Sequence, residues 1–396
     1  MSNGEQRIVV VGSGSTGSSV AYHIARSLGT GKNVVLVDRL GTANGMTALS
    51  SAIVRTHYSN EIVARMALYS RNLMADFGEI GVSGFTKSGV MFLFSSEFRG
   101  ELEKKVSMLK SVGIDERLLE AKEASTLFPK INFDGVDRIA YEPDSGYADP
   151  ASTTLSYVTK ATALGVEFIR SGVAKISPHQ GGGSVHFDDG KEIAFHKLVL
   201  CTNVWTNQLL RQSGFDRLPI RVAPHPVVVY NRPAEYGGTT EIVSDLAQRT
   251  YYKPDGASLL LGGTADPRVD EVSIEPDDVP KQVPFDYVSE YSEKITKRIP
   301  AMKDGIYRSS YYGMYDITPD EHPIIDSLAS MGLDNVYCCV GLSGHGFKLN
   351  PALGLITSEL VLERDYTKFD GSVFSLGRFS GGRNVFHRYE GVGTIA

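Results

Sequence analysis

The chain has 396 residues, 42% hydrophobic and 22% charged, which is ordinary globular composition and excludes a disordered chain. A formal net charge of -6 argues against nucleic acid or an anionic membrane surface as the main partner. Cys201, Cys338 and Cys339 form no CxxC pair, so neither a disulfide framework nor a metal site is expected.

The first element is a buried strand, Ile8 to Val11, followed by a glycine-rich turn and a helix with Val20, Ile24 and Leu28 on one stripe. A second buried run, Val34 to Val37, ends at Asp38. The spacing then predicts helices over 61–80 (Ile62, Met66, Tyr69, Leu73, Phe77), 101–112 and 152–164, the last leading into a strand over 166–169. SVHFDDGKEIAF reads as a hairpin turning at Asp189-Gly190. LVLCTN, 198–203, is another buried strand, leading to a helix at 205–210. Residues 225–265 alternate β-rich runs with Pro, Gly and Asp turns, as in antiparallel sheet. A helix over 284–299, a strand over 335–340 and a closing helix to about Leu362 complete the order. No apolar run is long enough to span a membrane, and MSNGEQR has no signal-peptide core, so a cytoplasmic protein is expected.

Gly12-Ser13-Gly14-Ser15-Thr16-Gly17 is a GxGxxG turn between the first strand and its helix. Gly12 permits the tight turn, Gly14 lets backbone approach a pyrophosphate, and Gly17 lets helix and sheet pack closely. Asp38, at the end of the next strand, suits the hydroxyls of an adenosine ribose. Its charge disfavours a 2′-phosphate, although Arg39 follows it, and the fingerprint alone does not separate NAD from FAD.

The distal segments TPDEHPIID (318–326) and GLSGHGFKLNPALG (341–354) resemble the D-amino-acid oxidase and sarcosine oxidase family of FAD proteins. The likeness extends to SSAIVRTHYS (51–59 within it), SGYADP, LVLCTNVWTNQLL and the tail GRFSGGR, and is loose over 85–140 and 225–305. It implies an α/β chain with a discontinuous Rossmann-like FAD-binding domain and an antiparallel β-rich substrate domain. The expected division gives 1–85, 145–220 and 308–375 to FAD, 86–144 and 221–307 to substrate, and 376–396 to a tail.

Gly341, Gly344 and Gly346 open the last helix, where backbone N–H groups and Lys348 suit an anionic reduced flavin. The resemblance implies that Arg55 and Lys348 hold a substrate carboxylate and that a tyrosine of the Tyr251-Tyr252 pair lines the amine pocket. Which of the two faces inward stays open, as does simple sheet packing. It further implies cofactor contacts from Ser15, Thr16, Thr47, Ser51, Val173, Gly313, His345 and Phe347. Trp205 is read as packing beside the cofactor or in the core; His57 and His225 are read as structural.

Three departures matter. Gly313 stands where sarcosine oxidases of this family carry the flavin-linking cysteine, so non-covalent FAD is expected. The flavin loop reads GMTALSS, without paired histidines. No basic residue stands near Leu260, where the oxygen-activating lysine falls. Leu342 in place of an aromatic and Thr264 near a histidine site suggest a substrate larger than sarcosine. The implied reaction is oxidation of the C–N bond of an N-methyl or other secondary amino acid by hydride transfer to flavin N5, giving an imine that hydrolyses. O2 or another acceptor takes the electrons. The alternatives are a D-amino-acid or 2-hydroxy-acid dehydrogenase on the same fold, or a flavin-binding β-type subunit of a larger complex; an NAD-dependent dehydrogenase fails on the C-terminal turn. An oligomer is compatible with each.

Overall fold

The computed structural model describes residues 6–236, 241–380 and 386. The expectations about the first five residues, and most of those about the tail, lie outside the described residues.

Two large sheets organise the chain. The first has six strands in the order Ile324–Ser327, Val336–Val340, Lys197–Leu200, Ile8–Val11, Val34–Asp38, Glu167–Arg170. All its pairs are parallel except that between Ile324–Ser327 and Val336–Val340. The period of two in the first strand divides its side chains between two cores. Ile8 and Val10 pack against the helices Ser15–Leu28, Glu61–Ala75, Pro150–Ala163 and Gly346–Val361. Val9 and Val11 pack on the opposite face, against Ile176, Val185 and Phe187 of a three-stranded antiparallel sheet and against Leu209 and Leu210. Burial on both faces is why this strand reads as an unbroken apolar run.

The second sheet has eight strands in the order Ile306–Ile317, Arg221–Asn231, Leu259–Thr264, Thr250–Asp255, Ile242–Asp245, Val90–Phe94, Arg138–Glu142, Arg117–Glu120. The antiparallel expectation for the middle of the chain holds except at one seam. There Ile242–Asp245 runs parallel to Val90–Phe94, because the two strands are distant in sequence and no hairpin joins them. One register row crosses six strands: Phe92, Ser244, Tyr251, Gly263, Val227, Tyr311. Behind the sheet, Val228, Val243, Tyr252 and Leu260 form a core with Val288, Tyr291 and Ile295 of the helix Phe285–Arg298.

The helix expected over 61–80 ends at Ala75. Asp76 leaves helical geometry with φ -124° and ψ 69°, and Phe77 and Ile80 reach the core through a turn instead. The helix expected from Ser152 begins at Pro150, because the Asp149 carboxylate accepts the Ser152 N–H and caps it. Among the described residues the three cysteines are buried and unbridged, no group of side chains could hold a metal ion, and no helix is long and apolar enough to cross a membrane.

Candidate active site

A cavity of about 440 Å³ runs from the Gly12–Gly17 turn to Lys348 and is walled by both sheets. At one end, Gly12 has φ +107°, and a Cβ there would lie 2.3 Å from the Cys201 carbonyl oxygen. A Cβ on Gly17 would lie 1.9 Å from the Gly12 carbonyl oxygen, so the helix Ser15–Leu28 can seat this close to the strand only with glycine at that position. Gly14 caps the helix without a side chain, and the first-turn N–H groups, which lack intrahelical partners, face the cavity end. One of them, that of Ser15, donates to Thr47 Oγ1 at 3.0 Å.

Asp38 is held by three backbone donors: Ser13 N–H to Oδ2 at 2.8 Å, and Leu40 and Gly41 N–H to Oδ1 at 2.8 and 2.9 Å. These backbone bonds aim the carboxylate. The Arg39 guanidinium lies over the Trp205 ring, 4.6 Å from its centroid. The Trp205 indole N–H is buried with no partner among the described residues, as are Thr16 Oγ1 and Asn203 Oδ1. Each is a polar atom on a cavity-lining residue, suited to a polar occupant.

At the other end, Arg55 is almost fully buried. Its Nη1 donates to the His57 carbonyl, its guanidinium lies 4.4 Å from the Tyr58 ring centroid, and its Nη2 has no partner among the described residues. Lys348 Nζ donates to the Gly344 carbonyl at 3.0 Å. Burial, reinforced by the Arg55 charge, holds its ammonium well below the usual lysine range. An anion between these two cations would relieve both costs.

The structure brings together Gly12, Gly14, Ser15, Thr16, Gly17, Asp38, Arg39, Thr47, Ser51, Arg55, Val173, Trp205, Tyr251, Gly313, Gly344, Gly346, Phe347 and Lys348 on one cavity. Three expected residues lie behind its wall. Tyr252 belongs to the core on the far side of the sheet, where its hydroxyl donates to Asp245 Oδ2 at 3.1 Å. The period of two therefore selects Tyr251 as the inward tyrosine. Gly341 donates its N–H to Asp316 Oδ2 at 2.7 Å. His345 is buried with Nδ1 3.1 Å from the Tyr58 hydroxyl, and burial and the Lys348 charge hold its imidazole well below the usual range.

Other lining residues escaped the sequence reading. Asp316 is buried at the cavity wall, accepting from Gly341 and from Asn203 Nδ2 at 2.8 Å; burial pushes its carboxyl up to about 7. Its sequence signal, an acid inside an otherwise β-like run before Thr318-Pro319, was present but unspecific. His225, expected to be structural, lines the cavity, its ring stacked 4.4 Å from Tyr315 and 6.0 Å from Tyr251. Phe92 and Ser244 reach the wall through the cross-strand row, which no local pattern reveals. His57 is buried against Glu116 and its ring stacks on Phe92, 4.6 Å between centroids.

A family model described as FAD dependent oxidoreductase matches residues 7–360. The chain is 26% identical to the bovine (Bos taurus) FAD-dependent oxidoreductase domain-containing protein 1, over 94% of this chain and 84% of that one. It is 24% identical to monomeric sarcosine oxidase of Streptomyces avermitilis, over 90% of this chain and 93% of that one. Among solved structures, L-proline dehydrogenase from P. horikoshii superposes with a TM-score of 0.85 at 24% identity, covering 95% of this chain and 98% of that one, which establishes the fold. The cavity fits FAD: a glycine cradle that a Cβ would fill, an aimed ribose-type acceptor at Asp38, and unpartnered polar atoms on Thr16, Asn203 and Trp205.

Proposed function

The chain belongs to the family of FAD-dependent oxidoreductases, and on that premise we propose that it oxidises the C–N bond of a carboxylate-bearing amine, an N-methyl or other secondary amino acid. The observation that carries this reading is the buried Arg55–Lys348 pair, two cations whose charges no carboxylate among the described residues balances in the hydrogen bonds of either group. Arg55 supplies a fork and Lys348 a point charge for one carboxylate. Tyr251 and Phe92 wall the cavity beside that carboxylate site. Among the described residues the lining carboxylates are Asp38, Asp188 and Asp316. The first is held by backbone, the second neighbours Gly172 beside that same turn, and the third is held by Gly341 and Asn203. None is left to hold an ammonium beside Arg55, so the substrate amine binds neutral, with its proton released to solvent.

FAD supplies the hydride acceptor for the C–H next to that nitrogen. The helix end at Gly14–Gly17 and Ser15 would hold its pyrophosphate, Asp38 its ribose, and Gly344, Gly346 and Phe347 its ring end. The division of labour follows the sheets, the six-stranded one serving the cofactor and the eight-stranded one the substrate. The strand Ile306–Ile317 belongs with the latter by its pairing with Arg221–Asn231.

The flavin is held non-covalently. Gly313 offers no sulfur, and Cys201, the one cysteine among the described lining residues, stands beside Gly12 with its thiol pushed up by burial. Acid precipitation is expected to leave all yellow colour in solution, and colour in the pellet would count against this. The strand Leu259–Thr264 carries no base, Leu260 packs into the rear core, and Lys348 is the lysine among the described lining residues. An acceptor other than O2 is favoured; reoxidation by air much faster than that of free flavin would overturn it. The central test is anaerobic bleaching of the purified protein by N-methyl and cyclic amino acids. A protein that stays yellow with the whole panel does not have this function.

A further inference from the structure

The wall facing Arg55 is built from one face of the eight-stranded sheet. Phe92 lies 5.7 Å, ring centroid to guanidinium carbon, from Arg55, so this wall begins at the carboxylate site itself. From there the cross-strand row continues through Ser244 and Tyr251 to Val227, flanked by Val90 and Ile242, all lining the cavity. Among the described residues, Val90, Phe92, Val227, Ile242, Ser244 and Tyr251 bring no ammonium, guanidinium or carboxylate to this stretch; the sheet's lining carboxylate, Asp316, is held by Gly341 and Asn203. Beside Tyr251, His225 is sandwiched between the Tyr251 and Tyr315 rings. Lys253, two residues along from Tyr251, is the one basic residue on that strand. It is committed elsewhere, with Nζ donating to Asp255 Oδ1 at 2.9 Å and lying 4.5 Å from the Tyr147 ring centroid. Ser244 Oγ is buried, and has no partner among the described residues.

A substrate group set against this wall loses water and meets aromatic and aliphatic carbon with a single free hydroxyl. A charged side group there would be desolvated without a counter-ion. We propose that the enzyme selects amino acids whose side group is uncharged and apolar, with Ser244 the polar contact on that wall. This rests on reading the Arg55–Lys348 pair as the carboxylate site. It goes beyond that reading in excluding dicarboxylic and basic amino acids as substrates.

The test uses the FAD-loaded protein and unreactive carboxylates, with dissociation constants measured by calorimetry and by perturbation of the flavin absorbance. From acetate to butyrate each added methylene should tighten binding about fourfold. Succinate and 4-aminobutyrate, of the same chain length as butyrate, should bind at least tenfold more weakly than it. Ser244→Asp should weaken butyrate and reverse the order in favour of 4-aminobutyrate, while Ser244→Ala should keep the order of the parent. If butyrate binds no better than butyramide, the carboxylate site itself is wrong. If carboxylates bind but succinate or 4-aminobutyrate matches butyrate, the carboxylate site stands and the apolar selection is wrong.

Discussion

Replacing Gly17 with alanine puts a methyl group where the structure has no room for one. The new Cβ would lie 1.9 Å from the Gly12 carbonyl oxygen and 3.0 Å from Cys201 Cβ. An ordinary C···O contact begins near ~3.3 Å, so the strand turn and the helix must part by roughly 1.4 Å. The helix cannot simply tilt away, because Val20, Ile24 and Ala25 behind Gly17 are fully buried against the other helices. Overpacking of this kind costs about 1–3 kcal/mol of stability. The same retreat withdraws the helix N-terminus from a bound pyrophosphate. A partly buried helix end is worth up to ~2 kcal/mol to an anion, so the dissociation constant for FAD should rise, by up to about 30-fold. Fluorescence quenching on titrating FAD into apoprotein measures the second effect, and thermal unfolding without FAD measures the first. Gly29→Ala is the control. Gly29 sits at φ +72° at the far end of the same helix with open space around it, so it should lose about 1 kcal/mol of stability and keep its FAD affinity. A Gly17→Ala protein that binds FAD and unfolds like the parent would refute the reasoning.

Four further outcomes are expected. Arg55→Met should weaken binding of unreactive carboxylates by ~30-fold or more, with Arg55→Lys intermediate, because the fork is lost before the charge; equal affinities in parent and Arg55→Met would remove Arg55 from the site. Tyr252→Phe should cost about 1–3 kcal/mol of stability through its lost bond to Asp245 and leave KM unchanged, whereas Tyr251→Ala should raise KM; the opposite pattern would mean that the strand faces the other way. The Asp316 carboxyl is raised from 3.8 to about 7, so between those values the folded protein holds a proton that the unfolded chain releases. Stability should therefore fall as pH rises through that window, by at most ~1.4 kcal/mol per pH unit, and urea denaturation of Asp316→Asn should give a flatter profile. Lys348 is lowered, so carboxylate affinity should drop as pH rises through its displaced value while stability rises toward the ordinary lysine range; calorimetry across pH should find the drop abolished in Lys348→Arg, and an unchanged profile would assign the titration to another group.

Much of the cofactor end was legible because its chemistry is local. A strand, a turn, a helix and a terminal acid lie within Ile8–Asp38, and each feature needs a particular residue at a particular spacing. The Gly341–Lys348 turn was legible for the same reason. The donors that aim Asp38 were not, because backbone N–H groups carry no residue signature.

The end of the cavity proposed for the substrate was legible only in Arg55 and Lys348 and in the pair Tyr251 and Tyr252, left undecided between them. Its wall is assembled from strands far apart in the chain, with Val90–Phe94 meeting Ile242–Asp245 across a parallel seam that no hairpin encodes. Local pattern supplies the period of two but not which face is inward. That was decided by the helix Phe285–Arg298, which covers the sheet from behind and takes Tyr252 and Leu260 into its core. Tyr251, Ser244 and Phe92 are left to the cavity on the opposite face. The sequence alone determined a glycine turn and a helix end suited to an anion; the packing of one sheet against one helix decided which side chains face the cavity. The first depends on backbone geometry over a few residues, and the second on burying apolar surface between segments up to 200 residues apart.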